Sequence, residues 1–239
     1  MDARQLGQHT YQKFDDELES IRQKLLKAGG LVESQLKGAL EALAEFDEKR
    51  AQAIIDDDEK VNDLEVEIDQ LCTEVIARRQ PMASDLRMLI ASFKIINDLE
   101  RMGDESVRIA RMALRLVEGS NRDSRYFEIR NLGEHVRRML RDALDAFART
   151  DMKLAMTVLE EDRIVDREYA SLTRALITFM MEDPREIPRM LEVQWSARAL
   201  ERIGDRACNI AEYVIYFASG KDVRHQSVEE MRSDVRGFE

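Results

Sequence analysis

The sequence is poor in the residues that make turns and covalent staples. Its 239 residues include only 3 Pro, 10 Gly, 2 Cys, 1 Trp and 3 His. So little turn chemistry points to long helices. Cys72 and Cys208 lie far apart and form no Cys-x-x-Cys, so they suggest neither a disulfide framework nor a thiolate zinc site, and a reducing cytosol fits. No uncharged stretch exceeds eight residues, as in 213–220, well short of the roughly 20 apolar residues of a spanning helix. The N-terminus lacks a basic region followed by an apolar run, so no signal peptide is expected. Neither GxxxxGK[ST] nor GxGxxG occurs, which removes the usual phosphate-cradling loops and ATP hydrolysis with them. His9, His135 and His225 stand outside any Glu-x-x-His or His-Glu-x-x-His pattern, so a di-iron oxidase or a zincin lacks its signature.

Charge and apolar residues are abundant: 36% of the chain is charged and 44% hydrophobic, with a formal net charge of -11. That sign opposes a phosphate backbone, and no nucleic acid is expected as a partner. A chain of this length buries about 70 to 75% of its unfolded surface, enough for a proper core.

Six helices are predicted, at about 12–47, 49–79, 84–118, 124–149, 152–182 and 185–219. Asp183, Pro184 and Glu186 form an Asp-x-x-Glu start signal for the sixth, and Gly119 and Gly220 suit helix ends. The Gly29–Gly30 pair is a place for the first helix to kink or split. An internal repeat organises these elements. A shift of 104 residues matches Ala39, Leu40, Asp47, Asp58 and Val61 with Ala143, Leu144, Asp151, Asp162 and Val165. A shift of 101 matches Leu99-Glu-Arg101 and Gly103-Asp104 with Leu200-Glu-Arg202 and Gly204-Asp205. The expected fold is all-α: two homologous three-helix bundles in tandem, residues 1–121 and 122–220, followed by a charged tail, 221–239.

Acidic residues interrupt the apolar stripes. Glu100 falls on the stripe of the third helix and Glu201 on that of the sixth, while Asp58 and Asp162 take inward positions on the second and fifth. Four residues on, each shares its face with a neighbour: Glu100 with Asp104, Glu201 with Asp205, Asp162 with Asp166, but Asp58 with Asn62. Like charges on a core-facing stripe need cations, protons or a metal. An all-oxygen cluster suits Mg²⁺, Mn²⁺, Ca²⁺ or ferric iron. The competing reading is ion pairing with Arg101, Arg163, Arg167, Arg202 or Arg206. Gly103 and Gly204 inside the motif are expected to permit close helix approach. Cys72 and Cys208 sit on apolar stripes as packing residues. Trp195 and the 213–217 aromatic run suit either a partner surface or burial.

The segments Asn97-Asp-Leu-Glu-Arg-Met-Gly-Asp104 and Leu200-Glu-Arg-Ile-Gly-Asp-Arg-Ala-Cys-Asn-Ile-Ala-Glu212 resemble the duplicated signature of PhoU proteins. Further resemblance lies in Arg79–Arg87, Leu144–Arg149 and Gly220–His225, and it spans roughly residues 14 to 225. The resemblance implies a non-enzymatic regulator of phosphate homeostasis: a cytoplasmic homodimer that restrains the phosphate-starvation response. Its implied partners are the phosphate ABC transporter ATPase and a phosphate-responsive sensor histidine kinase, through which it reaches the membrane. It also implies metal binding by Glu/Asp-x-x-x-Asp motifs, which fall here on Glu100 with Asp104, Glu201 with Asp205, and Asp162 with Asp166. Asn62 departs from the pattern beside Asp58 and makes the first cluster the weaker one. Two other functions remain open from the residues alone: a carboxylate-cluster metal-storage protein or metalloenzyme, and a plain helical scaffold.

Overall fold

Apolar stripes broken by few turn residues fold into eight α-helices in the computed structural model, which describes residues 3–117 and 127–236. They are α1 (Ala3–Glu45), α2 (Glu48–Asp56), α3 (Glu59–Arg79), α4 (Ala83–Val117), α5 (Phe127–Arg149), α6 (Met152–Glu182), α7 (Ile187–Ser219) and α8 (Val228–Arg236). Among the described residues there is no strand. In the first unit α2 and α3 pack on α1 and α4; in the second, α6 packs on α5 and α7. The units meet through α1 on α5 and α4 on α7, so these four helices close a shared core. Leu36, Ile95, Leu99, Met102, Met139 and Ile203 are fully withdrawn from solvent there.

The duplication is written into the corners. Phe46 and Thr150, equivalent positions, both take left-handed φ values, 57° and 54°. The next residue then closes the same backbone bond, Asp47 N to Ala42 O and Asp151 N to Ala146 O. Each Asp also caps the following helix: Asp47 accepts from Arg50 N, and Asp151 from Lys153 N and Leu154 N. The helix between the corners is where the units differ. One helix was expected over 49–79, but it breaks after Asp56, whereas α6 runs unbroken through the equivalent Glu160. Asp58 caps nothing with its side chain, because its carboxylate accepts from Gln35 instead.

Other expectations need adjustment. Gly29 and Gly30 neither kink nor split α1, which is continuous to Glu45. Asp183 caps Arg185 N within a short 3-10 turn, Pro184–Glu186, and Glu186 makes no side-chain cap bond, so the capping box is half formed and α7 begins at Ile187. Gly220 ends α7 at φ 78° as expected. The proposed division near residue 121 and the Gly119 break lie outside the described residues. The charged tail is not a free end: α8 lies on α6, with Val223, Met231 and Val235 buried. Its docking face has a sequence cause. Met156 and Leu159 are buried on α6 where the first unit carries Gln52 and half-buried Ile55.

Candidate carboxylate sites

Two acidic patches form, one in each unit, where the middle helix faces α4 or α7. In the first, Asp58 at the start of α3 meets Glu100 and Asp104 of α4. Gln35, buried on α1, donates to Asp58 Oδ1 at 3.3 Å while its own Oε1 finds no partner. Burial raises the Asp58 carboxyl above its ordinary range, Asp104 raises it further, and Gln35 opposes the shift. Burial first, then Asp104 and Glu65, raise Glu100. Gly103 makes the approach possible: a Cβ there would stand 3.2 Å from Gln35 Oε1 and 3.6 Å from Asp58 Oδ1. Asn62, the amide that replaces the second acid of the motif, is exposed.

Two carboxylates outside the Glu/Asp-x-x-x-Asp motif extend this patch. Glu65 is raised by burial and then by Asp69, and Asp69 by burial. Glu65 Oε1 also accepts from Asn97 at 3.3 Å. The signal was present in the sequence, since Glu65 follows Asp58 by seven residues on the same apolar stripe.

The second patch joins Asp162 and Asp166 of α6 to Glu201 and Asp205 of α7. Burial, then Asp166 and Asp205, raise Asp162, and a hydrogen bond from the Cys208 thiol opposes them. Glu201 is raised by burial and by Asp205. Its Oε1 accepts from Arg198, while its Oε2 is buried without a partner. Burial also raises Asp205, against the opposing attraction of Arg198. Asp104, Asp166 and Asp205 open to solvent, so each patch has a wet side. Gly204 differs from Gly103: a Cβ there would make only ordinary contacts, 3.6 Å from Val165, so close approach does not require this glycine.

The arginines mostly pair elsewhere. Arg163 bonds Glu229 at 3.1 Å, Arg202 bonds Glu105 at 3.1 Å, Arg206 faces Asp98 at 3.9 Å, and Arg101 bonds Asn97 at 3.3 Å. Their charges reach the second patch only over longer range, and burial outweighs them at Asp205. A donor set of crowded, half-buried oxygens, with orphaned buried oxygens on Gln35, Asp69 and Glu201, fits a hard cation in kind and in charge. As the side chains stand, however, no three His, Cys, Asp or Glu groups among the described residues gather closely enough to hold one ion. Cys72 is buried, its thiol pushed up to about 12, and Cys208 is half-buried with its thiol raised too, as packing residues would be. His135 is buried between Glu168, Nδ1 to Oε2 3.2 Å, and Glu161, Nε2 to Oε2 3.7 Å.

Comparison with known proteins agrees with this architecture. The PhoU domain model matches residues 25–113 and 129–214, one match in each unit. The PhoU homolog of Pseudomonas putida, named a phosphate-specific transport system accessory protein, is 50% identical over 97% of this chain and 91% of its own length. The Escherichia coli PhoU protein, with the same description, is 43% identical over 99% of this chain and 98% of its own length. The crystal structure of PhoU from Pseudomonas aeruginosa superposes with a TM-score of 0.85 at 48% identity, covering 87% of this chain and all of that one. The phosphate transport system regulatory protein PhoU from Streptococcus pneumoniae gives 0.81 at 32% identity, over 88% and 99%. With both units matched and nearly the whole length shared, the chain belongs to the PhoU family.

Proposed function

We propose that this chain is a regulatory adaptor of phosphate homeostasis, a cytoplasmic negative regulator of the phosphate-starvation response with no reaction of its own. It acts by binding one conformational state of the phosphate ABC transporter ATPase and of a sensor histidine kinase, coupling their equilibria. The observation that carries this reading is near full-length identity with accessory proteins of phosphate-specific transport. No described helix is long and apolar enough to cross a membrane; in this reading the chain reaches the membrane through its partners. The active form is a homodimer.

In this reading the two patches hold hard metal ions, Mg²⁺, Mn²⁺ or iron, that neutralise the acids. Asp162, Asp166, Glu201 and Asp205 supply the stronger site; Asp58, Glu100 and Asp104 supply the weaker one. Bound metal would cancel repulsion between the middle helix and α4 or α7, a structural contribution. The orphaned Glu201 oxygen and the mutual raising of these carboxyls support it. Pull-down of tagged protein from membranes of phosphate-rich and phosphate-starved cells tests the adaptor. Recovery of the transporter ATPase or the kinase is expected. Recovery of neither, where both are expressed, sinks the adaptor reading and turns attention to metal storage.

A further inference from the structure

The long contact between α4 and α7 is antiparallel. Arg87 bonds Phe217 O near one end, Asp98 takes Asn209, Glu105 takes Arg202, and Ser196 meets Met112 at 3.1 Å near the other. One side of this seam belongs to the four-helix core; the other faces solvent, and the patches touch it at its margins, where Asn97 donates to Glu65 and Arg198 bonds Glu201. On that side Phe93, Asn97 and Arg101 follow one another at four-residue steps along α4, as Arg198, Arg202 and Arg206 do along α7. Phe93, Arg101, Arg206 and Tyr213 wall a groove of about 460 Å³.

Charge is layered across the seam. The Glu105 side chain is 7% exposed and serves two guanidiniums, Arg108 at 3.0 Å and Arg202 at 3.1 Å, which are 50% and 42% exposed. Asp98 is nearly buried as well; it accepts from Asn209 at 3.4 Å and faces Arg206 at 3.9 Å. Arg101 bonds a neutral amide, Asn97. Asp104 and Asp205 are exposed on this face too, seven residues on from Asn97 and Arg198, and Arg198, Arg206 and Arg202 all attract Asp205. Two carboxylates, Glu105 and Asp98, therefore lie beneath the guanidiniums of Arg108, Arg202 and Arg206, in a chain whose net charge is -11. An exposed aromatic ring marks each end, Phe93 at 45% and Trp195 at 46%. Ser196, beside Trp195, meets Met112, nineteen residues along α4 from Phe93. The rings are thus roughly 30 Å apart at 1.5 Å rise per residue.

We propose that the solvent face of the α4–α7 seam docks an acidic segment of a protein partner. Carboxylates of the segment meet Arg101, Arg202 and Arg206, and an apolar side chain near each end covers Phe93 or Trp195. A groove edged by Asn97 and Asn209 suits discrete carboxylates better than a flat headgroup layer. This inference rests on the adaptor reading and gives it a partner surface.

The test places a benzoylphenylalanine photoprobe at Phe93 or at Trp195 of the full chain in its native host, with Val66 on α3 as the control position. Irradiation followed by sequencing of the adducts is expected to give one acidic segment of one protein from both seam positions and not from Val66. Arg101→Glu, or the milder pair Arg101→Gln with Lys94→Gln, Lys94 also lining the groove, lowers adduct yield at least tenfold in protein with an unchanged helical spectrum. Reversing charge in the captured segment restores the yield. Adducts to lipid, to a second copy or to a segment without acidic excess overturn the proposal, as does unchanged yield in both charge variants. Failure of the adaptor reading is separately visible: deleting the gene then leaves phosphate repression intact. If deletion relieves repression and the seam variants restore it fully, the seam inference alone falls.

Discussion

Leu144 of the second unit rests on Gly29 of the first. A Cβ on Gly29 would stand 2.5 Å from Leu144 Cδ2. The repeat returns the contact: Leu40 rests on Gly133 even more closely, and Gly29, Leu40, Gly133 and Leu144 are equivalent in pairs under the 104-residue shift. The α1–α5 contact is therefore self-complementary, as a two-fold dimer interface would be, but lies within one chain.

Neighbouring glycines on α1 should respond oppositely to the same change. Gly30 faces open space, so Gly30→Ala stabilises by about 0.5–1 kcal/mol through lower unfolded-chain entropy. Gly29→Ala forces Leu144 aside and costs about 1–3 kcal/mol. Adding Leu144→Ala to Gly29→Ala recovers part of the strain relative to the sum of the single changes, in urea midpoints analysed as a double-mutant cycle.

The same comparison separates the two motif glycines. Gly204→Ala is tolerated or stabilising, because its Cβ meets Val165 at an ordinary 3.6 Å. Gly103→Ala presses on Gln35, only 3.2 Å from the added Cβ, and lowers the midpoint. Equal costs for the two would contradict the difference between the patches.

Stability should rise as pH falls from alkaline toward the ordinary carboxylate range. Asp58, Glu65, Glu100, Asp162, Glu201 and Asp205 all have folded values raised above their ordinary ones, chiefly by burial. Between the ordinary and raised values the folded chain binds more protons than the unfolded chain, so unfolding free energy decreases with rising pH. At still lower pH the trend reverses, because Asp222, lowered to about 2 by Arg224, and Glu17, lowered by Arg79, lose their pairs. Melting temperatures in metal-free buffer measure this, and Asp162→Asn flattens the slope. A melting temperature that only falls as pH is lowered toward the ordinary carboxylate range contradicts it.

Metal should act on the same groups. Mn²⁺ or Mg²⁺ at a hundredfold excess over its dissociation constant stabilises by about 2.7 kcal/mol per site. Glu201→Gln with Asp205→Asn removes most of the gain; Glu100→Gln with Asp104→Asn removes less. Equal losses contradict the ranking drawn from Asn62, and the absence of any gain contradicts metal binding.

Much of this was legible in the sequence, and the failures have causes. Stripes, scarce turns and the repeat carry the two-bundle plan, since spacing fixes which face of a helix is buried. The carboxylate pairs were legible because i and i+4 share a face. The break after Asp56 was not, because it comes with a tertiary hydrogen bond, Gln35 to Asp58, across 23 residues. Helix α8 was hidden because, among its described side chains, just Met231 and Val235 are buried, too few for a period to emerge. The fate of the arginines was also hidden: Glu105 captures Arg202 from the neighbouring unit, a contact set by packing of α4 on α7.

The most direct test of the adaptor account is alkaline phosphatase activity in phosphate-rich medium after deletion of this gene in its host. The account predicts constitutive activity that the intact chain represses on reintroduction. Activity that stays repressed without the chain, and still rises normally on starvation, contradicts it.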